Sequence, residues 1–488
     1  MKKVIHSIIV ILFIVAIFSS CDDDNIFHTK VKTVNAITTV SGIRPGGLDK
    51  ALFLRLRFVT KLQINDTIDS RDFQTMRDKM PNLTEIDLTN VTIAAYNGFD
   101  GSGGERIYRY QANKIPDFAF YNPETSVENS KLSSLKLPQN ITSIGNYAFN
   151  RCTALSGVLE IPLSVKDTIG KSAFSFCENI TGLKLSGVNY IGESAFQNCY
   201  LLTGDIEFPD SVFKIDSWAF ANCDYVNFFT LSKTVDEIEI AAFSGCNADF
   251  TVNIDNQSFS AKDGVLFNAD QTTLIQFQKY KSGNYEIPST VNVIGSYAFA
   301  NCIGLASVTF PASTNMIEDY AFSGCTGLIG DFPISSGLSG MGQYVFENCS
   351  NISGFQISSD NTTYTFVDGL LIEYQLFVKR YIESKTGNCV IPADILVIDN
   401  SAFSNCKNLS SVTIPASVIT IGQRAFYNCI GLTNINVAST EPIDMSFTAT
   451  AFEEINFKNC TLNVPSGTID AYRSAEVWKD FYSIVETQ

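Results

Sequence analysis

Apolar and polar positions follow one order along most of this chain. After a cysteine comes Leu-x-x-Val-x-Phe-Pro or a close variant, as in Leu305, Val308, Phe310 and Pro311, or Leu409, Val412, Ile414 and Pro415. The alternation of Val308 with Phe310 is the period-two mark of a strand with one buried face. Proline then closes the strand because it cannot donate to a ladder. Ile-Gly and Ala-Phe follow, as in Ile294-Gly295 and Ala298-Phe299, and Asn or Gly precedes the next Cys in eight of ten units. Asn and Gly tolerate the left-handed backbone that turns a chain back for another lap.

Ala-Phe-x-x-Cys thus sets a period. It places Cys152, Cys177, Cys199, Cys223, Cys246, Cys302, Cys325, Cys349, Cys406 and Cys429 at intervals of 25, 22, 24, 23, 56, 23, 24, 57 and 23 residues. The two long intervals read as two laps plus about ten inserted residues, and both contain a matching segment, Asp263-Gly264-Val265-Leu266 and Asp368-Gly369-Leu370-Leu371. Cys246 to Cys349 is 103 residues and Cys302 to Cys406 is 104, as if a larger unit had been duplicated. One unit cannot bury its apolar side chains alone, whereas stacked units can, so laps of about 23 residues with one strand each predict a parallel-sheet solenoid.

The composite Cys-x-x-Leu-x-x-Val-x-(Leu/Ile/Phe)-Pro…Ile-Gly-x-x-Ala-Phe-x-x-Cys resembles the BspA-like, or Treponema pallidum-type, leucine-rich repeats. The resemblance implies a right-handed β/α solenoid, with a parallel β-sheet on the concave face, short strands or helical turns on the convex face, and a cap at each end. Departures are Val345 in place of Ala, and Phe118-Ala119-Phe120 without a following Cys, read as a first incomplete turn. The expected organisation is a lipoprotein signal at 1–20, an acidic tether at 21–30, a leucine-rich N-terminal cap region at 31–110, repeats at 111–437 and a C-terminal cap with a helix at 438–488. In the first cap Leu83, Ile86 and Leu88 keep the strand pattern, and 98–104 reads as a loop. In the last, Leu462 to Pro465 reads as a final strand. Thr468 is the expected N-cap of a helix carrying Ile469, Tyr472, Ala475 and Trp478 on one face.

The signal rests on Lys2 and Lys3, an apolar run from Val4 to Phe18, and Ser19-Ser20-Cys21. The run is short for a membrane span. A Cys directly after small residues resembles a bacterial lipoprotein signal, in which that Cys, here Cys21, is acylated and becomes the new N-terminus. Asp22, Asp23 and Asp24 then read either as a solvated tether or, by resemblance, as the surface-export signal of Bacteroidota lipoproteins. The protein is expected in the outer membrane, lipid-anchored and exposed at the cell surface.

Composition removes several functions. The only two histidines are His6 and His28, so no Ser-His-Asp triad, Cys-His dyad or His-ligated metal site fits the body of the chain. No catalytic residue, cofactor or metal is expected. A net charge of −16, or −18 once residues 1–20 are removed, argues against nucleic acid and against anionic lipid head groups as partners. The repeat cysteines fall in a line, which suits a buried column of free thiols better than convergent ligands. Cys389 and Cys460 lie outside that column.

Other positions invite a functional reading beside a structural one. Lys136, Glu160, Lys184 and Glu207 occupy the outward strand position of four successive laps, where opposite charges pair. Glu160 and Glu207 posed as acid and base would have Lys184 between them. Phe228 is expected outward, because Phe229 and Leu231 should face in; it is either an interface anchor or the result of a bulge. The position before Ala-Phe is aromatic at Tyr147, Trp218, Tyr297, Tyr320 and Tyr344. The last three, on consecutive laps, form either packing along the stack or a contact strip. Asp66-Thr67-Ile68, Asp167-Thr168-Ile169 and Asp210-Ser211-Val212 resemble a Bacteroidota O-glycosylation pattern and equally suit turn chemistry.

These features predict a surface lipoprotein that binds other macromolecules through its solenoid. By resemblance it is an adhesin for host extracellular-matrix or cell-surface proteins. The alternative is an accessory glycan-binding lipoprotein of a nutrient-uptake system.

Overall fold

In a computed structural model, residues 29–103 and 108–487 are described. They form a parallel-sheet solenoid of about 19 turns with few helices. A representative lap runs through strand Leu305–Thr309, a turn at Pro311, the two-residue strand Met316–Ile317, and the turns around Ala321-Phe322 to Cys325. Leu305, Val308, Ile317, Ala321, Phe322 and Cys325 are all buried, which is why the pattern repeats: each lap supplies one layer of a continuous core.

Three backbone ladders join successive laps. The long strands make a broad face, and the two-residue strands make a narrow one, with Ile294 paired to Ile317 and Ile317 to Met341. The third ladder runs through the Ala-Phe turns. Tyr297, Phe299 and Asn301 donate their N–H groups to Asp319, Ala321 and Ser323 of the next lap at 3.1, 2.8 and 2.8 Å. Between them, Ala298, Ala300 and Cys302 close local turns onto Gly295, Tyr297 and Phe299 at 3.1, 2.9 and 3.1 Å. Alternate N–H groups therefore point along the stack, an arrangement that needs left-handed residues on both sides of Ala-Phe. Asn301 has φ 61° and Tyr297 φ 59°. Arg151 and Phe176, which replace the usual Asn or Gly, adopt the same conformation with φ 56° and 58°.

The ten repeat cysteines are buried and free. Seven thiols lie 2.9–3.4 Å from the Phe carbonyl of the preceding lap, from Cys177 on Phe149 to Cys429 on Phe403. That carbonyl already accepts an N–H from its own lap, as Phe149 does from Cys152. The thiol therefore caps a second lone pair with little desolvation cost. Beside the thiols the Phe rings stack, with centroids 5.1 Å apart for Phe149 and Phe174 and 4.8 Å for Phe299 and Phe322. Phe120 joins this column at 5.4 Å, so the incomplete turn is a full lap that lacks only the thiol.

Both inserted segments are β-hairpins. Phe259–Lys262 pairs with Val265–Asn268 around Asp263-Gly264, and Tyr364–Val367 with Leu370–Glu373 around Asp368-Gly369. Positive φ at both turn residues, 51° and 77° in the first and 51° and 91° in the second, matches the tight turn whose twist suits a hairpin. Each hairpin divides two cores. Leu266 packs into the core that precedes it and Val265 and Phe267 into the next; Leu371 and the pair Leu370 and Ile372 divide likewise. Side chains alternate across a strand, so a strand buried on both faces reads as an unbroken apolar run. Phe277 and Tyr381 then stand in the Phe column, 4.8 and 5.0 Å from the next ring.

The broad sheet is interrupted in step with a feature absent from the sequence reading. Gly157, Gly204, Gly283, Gly330 and Gly387 have φ between 81° and 87°, and each is the first or second residue of a strand whose pairing slips by one residue beyond it. Each also begins a new piece of the sheet. A Cβ on any of them would meet nothing within 4 Å, so backbone conformation and not space selects glycine.

At the N-terminal end the hairpin Lys30–Val34 and Ile37–Ser41 borders the sheet, and helix Ser70–Lys79 starts on a capping box between Asp69 and Asp72. Strand Glu85–Asp87 holds Leu83, Ile86 and Leu88 inward. The expected loop at 98–104 begins on a hairpin strand, since Tyr96–Gly98 pairs with Tyr108–Tyr110. The C-terminal helix is shorter than expected. It covers Ile469–Ser474 and ends because Ala475 is extended, and Trp478 belongs to a separate helical turn. Thr468 occupies the N-cap position without capping; its hydroxyl donates to the Pro465 carbonyl at 2.7 Å. Strand Thr461–Pro465 is not the final one, because Ser483–Thr487 pairs beside it. Lap geometry also continues through Ala451-Phe452, whose ring lies 5.1 Å from that of Phe426.

Burial pushes the Cys199 and Cys246 thiols up to about 12. An unfolded thiol ionises near ~8.5, so between these values the unfolded chain releases protons that the folded chain keeps, and stability falls as pH rises. Each thiol contributes a slope of up to ~1.4 kcal/mol per pH unit. The urea midpoint should therefore drop through this window, and more gently in a Cys199→Ala, Cys246→Ala double variant. Equal slopes in the two proteins would remove the thiols as the cause.

Candidate recognition surface

Two rows of side chains reach solvent from the rigid stack. The first lies along the Ala-Phe turns, at the left-handed position before Ala. Tyr297, Tyr320 and Tyr344 stack with centroids 4.7 Å apart and planes inclined by only 7° and 10°. Trp218 meets Tyr297 edge-on at 4.7 Å, across two intervening laps, the first of which carries the small Ala241 at this position. Tyr147 stacks separately on Phe118 at 5.3 Å. All are half-buried. Desolvation pushes the Tyr297 phenol up to about 12, so it stays a neutral hydrogen-bond donor. Because these tyrosines lie against one another, the row offers edges and hydroxyls, whereas sugar rings stack on open aromatic faces.

The second row lies on the broad face, on the seven-residue strand Tyr225–Leu231. Phe229 and Leu231 are fully buried, while Phe228 and Tyr225 are 40% and 59% exposed. The strand does contain a bulge: Gly204 pairs with Val226 and Asp205 with Phe228, which leaves Asn227 unpaired. The bulge sets the register, yet it does not account for a phenylalanine. Equivalent positions after the slip in four other laps hold Gly182, Ser307, Gly354 and Ser411. Phe228 is thus a large side chain where the fold uses a small one. Asp205 and Asp249 flank it on the two neighbouring strands.

The charged row pairs only in part, because Lys136 turns to Asp87 outside the row and Glu207 has no ion-pair partner among the described residues. Lys184 meets Glu160 at 2.6 Å and Lys136 meets Asp87 at 3.0 Å, all on the surface, where such pairs contribute ~0–1 kcal/mol. Lys184 stands between Glu160 and Glu207, so the structure does not bring the two carboxylates together as an acid and base pair. Cys389 is buried opposite Val412 on the broad sheet, and Cys460 is buried just before Thr461. Among the described residues no group of three or more His, Cys, Asp or Glu is placed to hold a metal ion. Of the glycosylation-like hydroxyls, Ser211 donates to Val188 at 2.8 Å, and the Thr168 oxygen is buried without a partner. Cys21, Asp22, Asp23 and Asp24 lie outside the described residues.

Stacked parallel strands, a Phe column and one leucine-type strand per lap define a leucine-rich-repeat solenoid. The BspA-type leucine-rich repeat region, a family model of six copies, matches residues 113–249, 190–282, 272–367 and 372–473. The chain belongs to this family, whose members are typically non-enzymatic binding scaffolds. It is similar to a leucine-rich repeat protein from Eubacterium ventriosum, with 22% identity, 67% of this chain and 84% of that one covered, and a TM-score of 0.47. A leucine-rich cell surface protein from Faecalibacterium prausnitzii shares 19% identity over 94% and 99% of the two chains, with a TM-score of 0.44. A leucine-rich repeat protein from Bacteroides ovatus shares 21% over 71% and 88%, with a TM-score of 0.35. No curated protein matches the chain.

If stacking holds the tyrosine row, cost should follow the number of stacked neighbours. Tyr320→Asn keeps the left-handed backbone accessible but loses two tyrosine contacts, an expected ~1–3 kcal/mol. Tyr344→Asn loses one, about half as much. Urea unfolding of the two variants checks the ratio, and equal losses would refute the additive stack.

Proposed function

We propose that this chain is a lipid-anchored protein displayed at the cell surface, which recognises host extracellular-matrix or cell-surface proteins through its solenoid. Support for recognition comes from the family and from the extended, ordered faces that stacked laps provide. Support for the anchor comes from the sequence around Cys21. Among the described residues no helix is long and apolar enough to cross a membrane.

Phe228 carries the reading. A half-exposed aromatic, fixed on a rigid sheet at a position that other laps fill with Gly or Ser, serves no packing need. Such anchors dominate binding energy when a partner covers them. Tyr225 adds apolar surface on the same strand, and Asp205 and Asp249 supply charges that would select a partner with complementary basic groups. The glycan alternative drew on Tyr297, Tyr320 and Tyr344, whose rings are stacked on one another.

Matrix and host-surface proteins captured on the purified chain, then titrated against Phe228→Ser, give the test. The variant should keep its thermal midpoint, since serine occupies this position in other laps. It should lose about 2 kcal/mol of affinity, roughly 30-fold. Undiminished capture by Phe228→Ser would overturn the assignment of this face, and the absence of any captured partner at micromolar affinity would overturn adhesion. Display is read separately, because protease added to intact cells should degrade the protein.

A further inference from the structure

The whole-chain charge conceals a local reversal. Residues 29–61 carry seven basic side chains and one acidic, a local +6 in a chain of −16. This segment builds the first lap: strand Ile37–Ser41 leads through helical turns Leu48–Leu52 and Phe53–Phe58 to strand Lys61–Ile64, which pairs back in parallel. Leu48, Leu52 and Leu56 hold the turns to the core. On the other side Phe53, Leu54 and Phe58 are 66%, 66% and 81% exposed. Lys50, Arg55 and Arg57 stand exposed among them, and none has an ion-pair partner among the described residues.

Exposed aromatic and aliphatic side chains interleaved with unpaired cations are the chemistry of a surface that enters a lipid interface. The apolar groups reach the acyl boundary, and the cations meet head-group phosphates. Position favours the same occupant. Cys21 lies eight residues before Thr29, a tether of at most roughly 28 Å, so an acylated Cys21 holds this lap nearest the bilayer. We propose that the Lys50–Phe58 patch docks on the anionic head-group surface of the membrane carrying the Cys21 lipid. The docking rests on the lipid-anchor reading for its proximity. It gives a tethered solenoid a second contact and hence an orientation.

Full-length chain is mixed with phosphatidylethanolamine vesicles containing phosphatidylglycerol and brominated acyl chains. Flotation at about 1 M salt, which screens the contacts of the patch with head groups, reports the anchor. Docking is read at saturating vesicle concentration, whether or not the chain floats, as quenching of an indole introduced by Phe58→Trp, with the wild-type signal of Trp218 and Trp478 subtracted. The expected result is loss of most of the added emission, with none from Ile254→Trp, which is 95% exposed on a distant lap. Adding Arg55→Glu and Arg57→Glu, exposed positions whose change should leave the fold intact, should restore the emission. An unquenched Phe58→Trp indole overturns the docking, as does quenching that survives both glutamates or equals that at Ile254→Trp. Failure to float overturns the lipid anchor alone.

Discussion

Every lap of this molecule must satisfy its backbone from the laps on either side, and most of the structure follows from how it does so where the chain is not a strand. In the Ala-Phe turns half of the N–H groups close turns and half bond along the stack. That division requires two left-handed residues per lap, the conformation most costly for side chains with a Cβ. The cost is recovered in the same places. Asn at the second position adds a side-chain ladder, as in Asn222 on Asn198 at 2.8 Å and Asn428 on Asn405 at 2.7 Å. Aromatic residues at the first position recover it by stacking. The thiol beside them completes a carbonyl that an apolar side chain would leave half-satisfied. Phe, Asn and Cys recur together because they answer one backbone problem.

This explains which parts of the fold could be read from the residues. Whatever must be identical in each lap recurs and is visible as a period, so the solenoid, its strand and its turn were legible. Whatever happens once was not. The hairpins were seen only as extra length, because Val265-Leu266-Phe267 is apolar on both faces and carries no alternation to mark a strand. The bulge glycines occur in only certain laps, so the 23-residue period does not mark them. Thr468 looked like a cap by composition, yet its hydroxyl found a nearer acceptor in Pro465. The tyrosine row could be placed but not interpreted, since only ring geometry separates a stacked ladder from an open platform.

The same reasoning sorts structure from function. Residues that satisfy the repeat, however conspicuous, carry information about stacking: the ten cysteines, the Phe column and the tyrosines are all of this kind. Information about a partner has to lie where a lap departs from what stacking requires. Phe228 departs by size at a position of glycines and serines. The first lap departs by sign, basic in an acidic chain. Net charge argued against an anionic lipid surface because it averages over the molecule, whereas a surface meets only the lap that faces it. At a Debye length of about 8 Å the remote acidic laps are screened from such a contact, and the local +6 decides.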